Sequence, residues 1–232
     1  MITEVQRKRR RKKSIFSLIS TVILTTLIIL TVVRLCQLFF SDFSNFRFIP
    51  TPYGKKVSEN VKKAQSAEIP DWIDSQIISV HLGARTGAHL NDIKNIVIHY
   101  VGNPDITAQN NRDYYDKLTT DVSSHFVVGL DGEIIQCVPL WEKSAASNHR
   151  NGDTISIEAC HPDESGRFNN ETYNSVIKLS AWLCNEFGLD EKDIIRHYDI
   201  TEKICPKYYV ENPDEWKNLK KDVKERLDSY ED

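Results

Sequence analysis

The chain has 232 residues and a formal net charge of −3, enough for one sizeable core plus a tail but not for two large domains. The near-neutral total hides a strong asymmetry, because residues 7–13 are all Lys or Arg and the remainder is distinctly acidic. An acidic body lacks the basic face that phosphate binding needs, which argues against nucleic acid as the main partner.

Residues 14–33 follow the basic run at once, carry no charge and consist mostly of Ile, Leu, Val and Thr. About 20 residues at 1.5 Å each span roughly 30 Å, the thickness of a bilayer's hydrocarbon core. The cations before this segment, against only Arg34 just after it, orient the N-terminus toward the cytoplasm. The stretch is longer than the apolar region of a cleaved signal peptide, and no small-x-small pattern follows it. The expected layout is a cytoplasmic basic arm (1–13) and a single transmembrane signal-anchor (14–40), with the rest of the chain outside the cell membrane. Residues 41–76 contain Pro50, Pro52, Gly54 and Pro70 and no sustained apolar period, so they read as a stalk. Within it, residues 58–67 suit a short polar helix. The folded domain is expected over residues 77–232.

Residues 95–101 form an apolar run suited to a buried central strand, stopped by Gly102 and Pro104. A short helix is expected over 107–118, with Thr107 as its N-cap. Residues 125–130 and 133–138 are β-rich and separated by Asp131-Gly132, a strong hairpin signal. Another strand is expected over 154–160. Residues 170–187 then carry apolar groups at helical spacing up to Gly188, which suits a helix terminus. A short strand over 194–197 follows, and Pro213 opens a last helix whose apolar face is Trp216, Leu219, Val223 and Leu227. Strands alternate with helices but a hairpin interrupts them, which predicts an α/β fold with a central mixed β-sheet flanked by helices.

The five cysteines have neither the density of a disulfide scaffold nor a C-x-x-C pair. Cys184 lies on an apolar helix face, where burial accounts for it. Cys137 and Cys160 each fall in a strand, which leaves a disulfide between them open. Cys205 belongs with two other residues. His99 is polar within an apolar strand, His197 ends a short strand, and Cys205 follows in a loop. Two imidazoles and one thiolate, with a fourth position left for water, form a donor set that suits catalytic zinc.

Six segments occur in a characteristic order: Val97-Ile-His-Tyr, Ser123-Ser-His-Phe, Asp131-Gly-Glu-Ile, Asp153-Thr-Ile-Ser-Ile-Glu, Arg196-His-Tyr-Asp and Lys203-Ile-Cys-Pro. Together they resemble the zinc-dependent N-acetylmuramoyl-L-alanine amidases, a family that shares its fold with peptidoglycan-recognition proteins. The resemblance runs from about Ile77 to the last helix. It implies Zn2+ held by His99, His197 and Cys205, where some members use Asp at the third position. It implies Glu158 as general base and Lys203 as the cation that stabilises a tetrahedral oxyanion. His125 is implied near the metal, as a hydrogen-bonding partner or in catalysis, and His149 as a contact for the sugar or peptide. The chain departs from phage members at Ser124, where they carry a catalytic Tyr, and this shifts the acid–base role onto Glu158.

The implied reaction is hydrolysis of the amide between N-acetylmuramic acid and L-alanine of peptidoglycan. An anchor that leaves the domain facing the cell wall fits that substrate. Two alternatives have the same residues available: a peptidoglycan-binding module of the same fold without catalysis, and a thiol hydrolase with Cys205 as nucleophile.

Overall fold

A computed structural model of the protein describes residues 57–230. The expected basic arm (1–13), the anchor (14–40) and the first part of the stalk (41–56) lie outside the described residues. Among the described residues, no helix is long and apolar enough to cross a membrane.

The elements in chain order are α1 (Glu59–Ser66), β1 (Asp74–Ser75), β2 (Asn95–Tyr100), α2 (Ala108–Tyr115), β3 (Phe126–Val128), β4 (Ile134–Gln136), β5 (Thr154–Ala159), α3 (Asn170–Phe187), β6 (Ile194–Arg196), α4 (Tyr198–Thr201), α5 (Lys207–Glu211) and α6 (Pro213–Asp228). The six strands form one sheet in the order β1-β4-β3-β5-β2-β6. Every pairing is parallel except the β3–β4 hairpin, so the sheet is mixed as expected.

Alternation along the strands sorts residues onto two faces. Ile96 and Ile98 of β2, Phe126 and Val128 of β3, and Ile155 and Ile157 of β5 belong to the main core. There they meet Val176, Leu179 and Leu183 of α3 and Trp216, Leu219 and Val223 of α6. The residues between them point the other way. Val127 joins a smaller cluster with Ile135, Cys137, Cys160 and, from α2, Ala108 and Tyr115. His99, Ser156 and Glu158 share that second face by the same alternation, with His99 and Glu158 next to last in their strands. In open sheets with parallel strands, the carboxyl ends are where ligands bind.

Local chemistry explains the element ends. Thr107 caps α2 by accepting from the Asn110 N–H, and Asn169 caps α3 by accepting from the Thr172 N–H. Gly188 ends α3 at φ 65, a left-handed conformation that glycine adopts without strain. Pro213 opens α6 at its first turn.

The folded body begins earlier than residue 77. α1 is capped by the Ser58 hydroxyl and buries Val61 and Ala64, which join the main core with Ile73. Trp72 meets Trp182 edge-on, and β1 pairs with β4. The stretch from Val57 to Gln76 is therefore packed onto the domain, contrary to the stalk expected there. Its few apolar positions sit among Lys, Glu and Gln, so no sustained period announced it. Cys137 and Cys160 are both free and buried, so the disulfide left open between them is not formed.

Candidate metal centre

His99 sits near the end of β2, and Glu158 is its register partner on the neighbouring β5. His197 is the first residue after β6, its N–H bonded to the Ile98 carbonyl, which seats its ring beside that of His99. The two ring centroids are 4.7 Å apart. Cys205 comes in from the loop between α4 and α5, its carbonyl accepting from the Tyr198 N–H, and its Sγ lies 3.8 Å from His99 Nδ1. One ligand atom from each of His99, His197 and Cys205 lies within 4.8 Å of the other two, and all three residues are buried.

The remaining ring nitrogens are directed away. His197 Nε2 lies 2.7 Å from Asn148 Oδ1, while its Nδ1 is buried with no hydrogen-bond partner. His99 Nε2 lies 3.5 Å from Ser147 Oγ. An orphaned imidazole nitrogen beside a buried thiol is the arrangement a divalent ion would satisfy. Tetrahedral bonds of about 2.0 Å to nitrogen and 2.3 Å to sulfur place ligand atoms about 3.3–3.5 Å apart, so small side-chain shifts suffice.

The electrostatics agree with that fit. Burial, then the neighbouring His197 and Lys203, hold the His99 pKa well below the ordinary value. Burial and Lys203 lower that of His197 as well. Both rings are thereby kept neutral, the state in which a histidine ligates. Burial, reinforced by Glu158, pushes the Cys205 thiol up to about 12. Burial also lifts Glu158 to about 8, against the pull of Lys203. One Glu158 oxygen is 3.9 Å from His99 Nδ1 and the other is buried without a hydrogen-bond partner. Both acids resist ionisation until a cation stands beside them.

The profile of the N-acetylmuramoyl-L-alanine amidase family matches residues 89–208, a span that contains all four of these residues. The chain belongs to that family. Among its relatives is the N-acetylmuramoyl-L-alanine amidase BlyA of Bacillus subtilis (strain 168), 32% identical over 171 residues that cover 65% of this chain and 46% of that protein. The amidase CwlL of Bacillus licheniformis is 29% identical over 163 residues, covering 63% of this chain and 45% of that protein. The chain thus spans about half the length of the curated relatives it matches. A mutant endolysin from Bacillus subtilis superposes with a TM-score of 0.57 at 25% identity, covering 65% of this chain and 97% of that one. The catalytic domain of XlyA, at 23% identity and a TM-score of 0.56, shares the fold; it covers 65% of this chain and 98% of that domain.

The other expected site residues of this amidase-family chain are placed differently from one another. Lys203 is exposed, yet its charge reaches His99, His197, Cys205 and Glu158. His149 is exposed on the short 3-10 turn Asn148–Arg150, next in sequence to the Asn148 that bonds His197. His125 is wholly buried and both ring nitrogens are used: Nε2 donates to the Glu142 carbonyl at 2.9 Å, and Nδ1 accepts from the Ser156 N–H at 3.0 Å. The two bonds tie the ring between β5 and the loop at Glu142. Ser124 is buried with its hydroxyl donating to the Phe126 carbonyl. Ser147 and Asn148 escaped the sequence reading, since nothing local marks a residue whose partner is 48 or 49 positions away.

Proposed function

We propose that this protein is a zinc-dependent amidase that cuts the bond between the lactyl group of N-acetylmuramic acid and L-alanine in peptidoglycan. The observation that carries the reading is the convergence of His99, His197 and Cys205 beside Glu158 in a chain of this family. A zinc ion, when bound, supplies a water of lowered pKa and polarises the scissile carbonyl.

The chain's own side chains perform the remaining steps. Glu158 takes a proton from the attacking water as the oxygen–carbon bond forms, and hands it to the alanine nitrogen as the carbon–nitrogen bond breaks. Its unpartnered buried oxygen is available for both transfers. Lys203 offers the ammonium that offsets charge building on the carbonyl oxygen. Exposed His149 is set to meet sugar or peptide at the rim.

Two observations weigh against the alternatives. A Cys205 thiol at about 12 beside neutral, low-pKa imidazoles makes a poor free nucleophile, which disfavours thiol hydrolysis. Retention of all three ligands, Glu158 and Lys203 disfavours a binding module. Mass spectrometry of products from purified muropeptides tests the reading. Free disaccharide and intact stem peptide are expected, whereas cleavage within the peptide would replace it with endopeptidase action.

The same proposal includes a single-pass anchor at residues 14–40, with the N-terminus cytoplasmic and the domain facing the wall. Residues 7–13 and the uncharged stretch after them support it. Protease added to intact protoplasts should digest the domain while sparing the N-terminal arm; protection of the domain would reverse the topology.

A further inference from the structure

We propose that Asn148 is the positioning residue that commits His197 to the metal through Nδ1. The inference rests on the metal-centre reading above and adds the device that selects the ligating nitrogen.

A neutral imidazole carries its proton on one nitrogen and can ligate only through the other. The choice is made by whatever the second nitrogen faces. Asn148 Oδ1 stands 2.7 Å from His197 Nε2, and an amide oxygen can only accept, so Nε2 holds the proton and donates it. Nδ1 is left with its lone pair, buried and without a partner. Ser147 Oγ faces His99 Nε2 at 3.5 Å, while His99 Nδ1 is the nitrogen turned toward the Cys205 sulfur. Two consecutive residues of one loop thus attend to the outer nitrogens of both histidines.

The loop is built to hold that position. Asn151 Oδ1 accepts from the N–H groups of both Ala146 and Ser147. Arg150 reaches Asp153 at 2.7 Å and Asn95 at 2.6 Å, which ties the loop to the start of β2, the strand that carries His99. Asn148 itself has φ 52, a left-handed conformation that Asn, Asp and Gly tolerate and most residues do not. The position therefore asks for a residue that both accepts this backbone and presents an acceptor. Asn and Asp do so; glycine meets only the first demand.

That distinction supplies the test. Asn148→Gly keeps the backbone and removes the acceptor, and Asn148→Asp keeps both. Full-length wild type and the two variants are titrated with Zn2+ against a chromophoric chelator, and the His197 tautomer is read by nitrogen-15 NMR in the metal-free proteins. Wild type and Asn148→Asp should show the Nε2–H tautomer. Asn148→Gly should lose that preference and bind zinc about 10- to 100-fold more weakly, the usual cost of removing a partner behind a histidine ligand. Its metal-free thermal midpoint should stay near that of wild type. Equal zinc affinity and an unchanged tautomer in Asn148→Gly would overturn the inference. So would an Asn148→Asp protein as weak as Asn148→Gly. A wild-type protein that takes up no zinc would instead sink the metal reading, and this inference with it.

Discussion

Glu158 stands opposite His99 across the parallel β2–β5 ladder, and its Oε1 lies 3.9 Å from His99 Nδ1. One register step in either direction would turn the carboxylate into the main core. The register thus delivers the proposed base to the metal side of the sheet. Replacing Glu158 with Gln keeps its shape and removes its ability to carry a proton. Amide hydrolysis should fall about 100- to 10,000-fold, the usual contribution of a positioned acid–base group. Zinc uptake should be retained, because Glu158 is not among the ligands. A variant that turns over normally would move the proton transfer elsewhere.

Metal removal should act through Cys205 as much as through the histidines. Dialysis against a strong chelator is expected to abolish activity, and stoichiometric Zn2+ to restore it. Cys205→Ala should lose both metal and activity. Cys205→Asp should keep a measurable part of each, since a carboxylate oxygen at about 2.0–2.2 Å is also a zinc ligand. Elemental analysis beside turnover reads all three. Activity that survives complete loss of metal would contradict the proposed centre.

Lys203 is exposed, so its charge is partly screened by water, yet it acts on all four groups of the centre. Lys203→Ala should lower kcat about 10- to 100-fold, less than the loss of a buried oxyanion donor, with a smaller change in KM. Lys203→Arg should recover part of the rate. A change confined to KM would assign Lys203 to ground-state binding instead.

His125 makes a prediction about stability and not about rate. Burial pushes its pKa down to about 4, against the pull of the Glu142 carbonyl that its Nε2–H donates to. In the unfolded chain the ring protonates near 6.5, so between about pH 6.5 and 4 the unfolded state binds the extra proton. The stability it contributes is full above that window and falls as pH drops through it, by about 3 kcal/mol in all. His125→Gln has no such proton to bind. Its urea stability should be lower at neutral pH but decline less steeply toward pH 4. Parallel slopes in the two proteins would remove His125 as the source.

Much of this was legible in the sequence, and the rest was hidden for identifiable reasons. The helix expected over 170–187 is observed as Asn170–Phe187, because a long apolar period with a cap at each end leaves little freedom. β2 was legible because its run Ile96-Val-Ile98 is buried on both faces. The convergence of His99, His197 and Cys205 was anticipated through the family resemblance, since the spacing of the three residues alone is a weak signal. The partners of His125 could not be anticipated, since they are a Glu142 carbonyl and a Ser156 N–H that only the folded chain brings to the ring. α4 and α5, of four and five residues, are too short to show a period. α1 showed only two apolar residues on a helix of eight.

That last element yields a further test, because it sets where the domain begins. Val61, Ala64 and Ile73 are each no more than 5% exposed and all belong to the main core. A chain cut to begin at Ile77 would strip them away and expose the surfaces they cover. At about 1.5–3 kcal/mol for each large aliphatic side chain, the loss is on the order of 4 kcal/mol. Domains of this size have only about 5–15 kcal/mol in total, so such a chain should be marginal or unfolded. A chain begun at Val57 keeps α1 with its Ser58 cap and should unfold cooperatively near the full-length midpoint. Urea denaturation of the two proteins side by side reads the difference. Equal midpoints would mean that α1 rests on the core without supporting it, and would restore the boundary at residue 77.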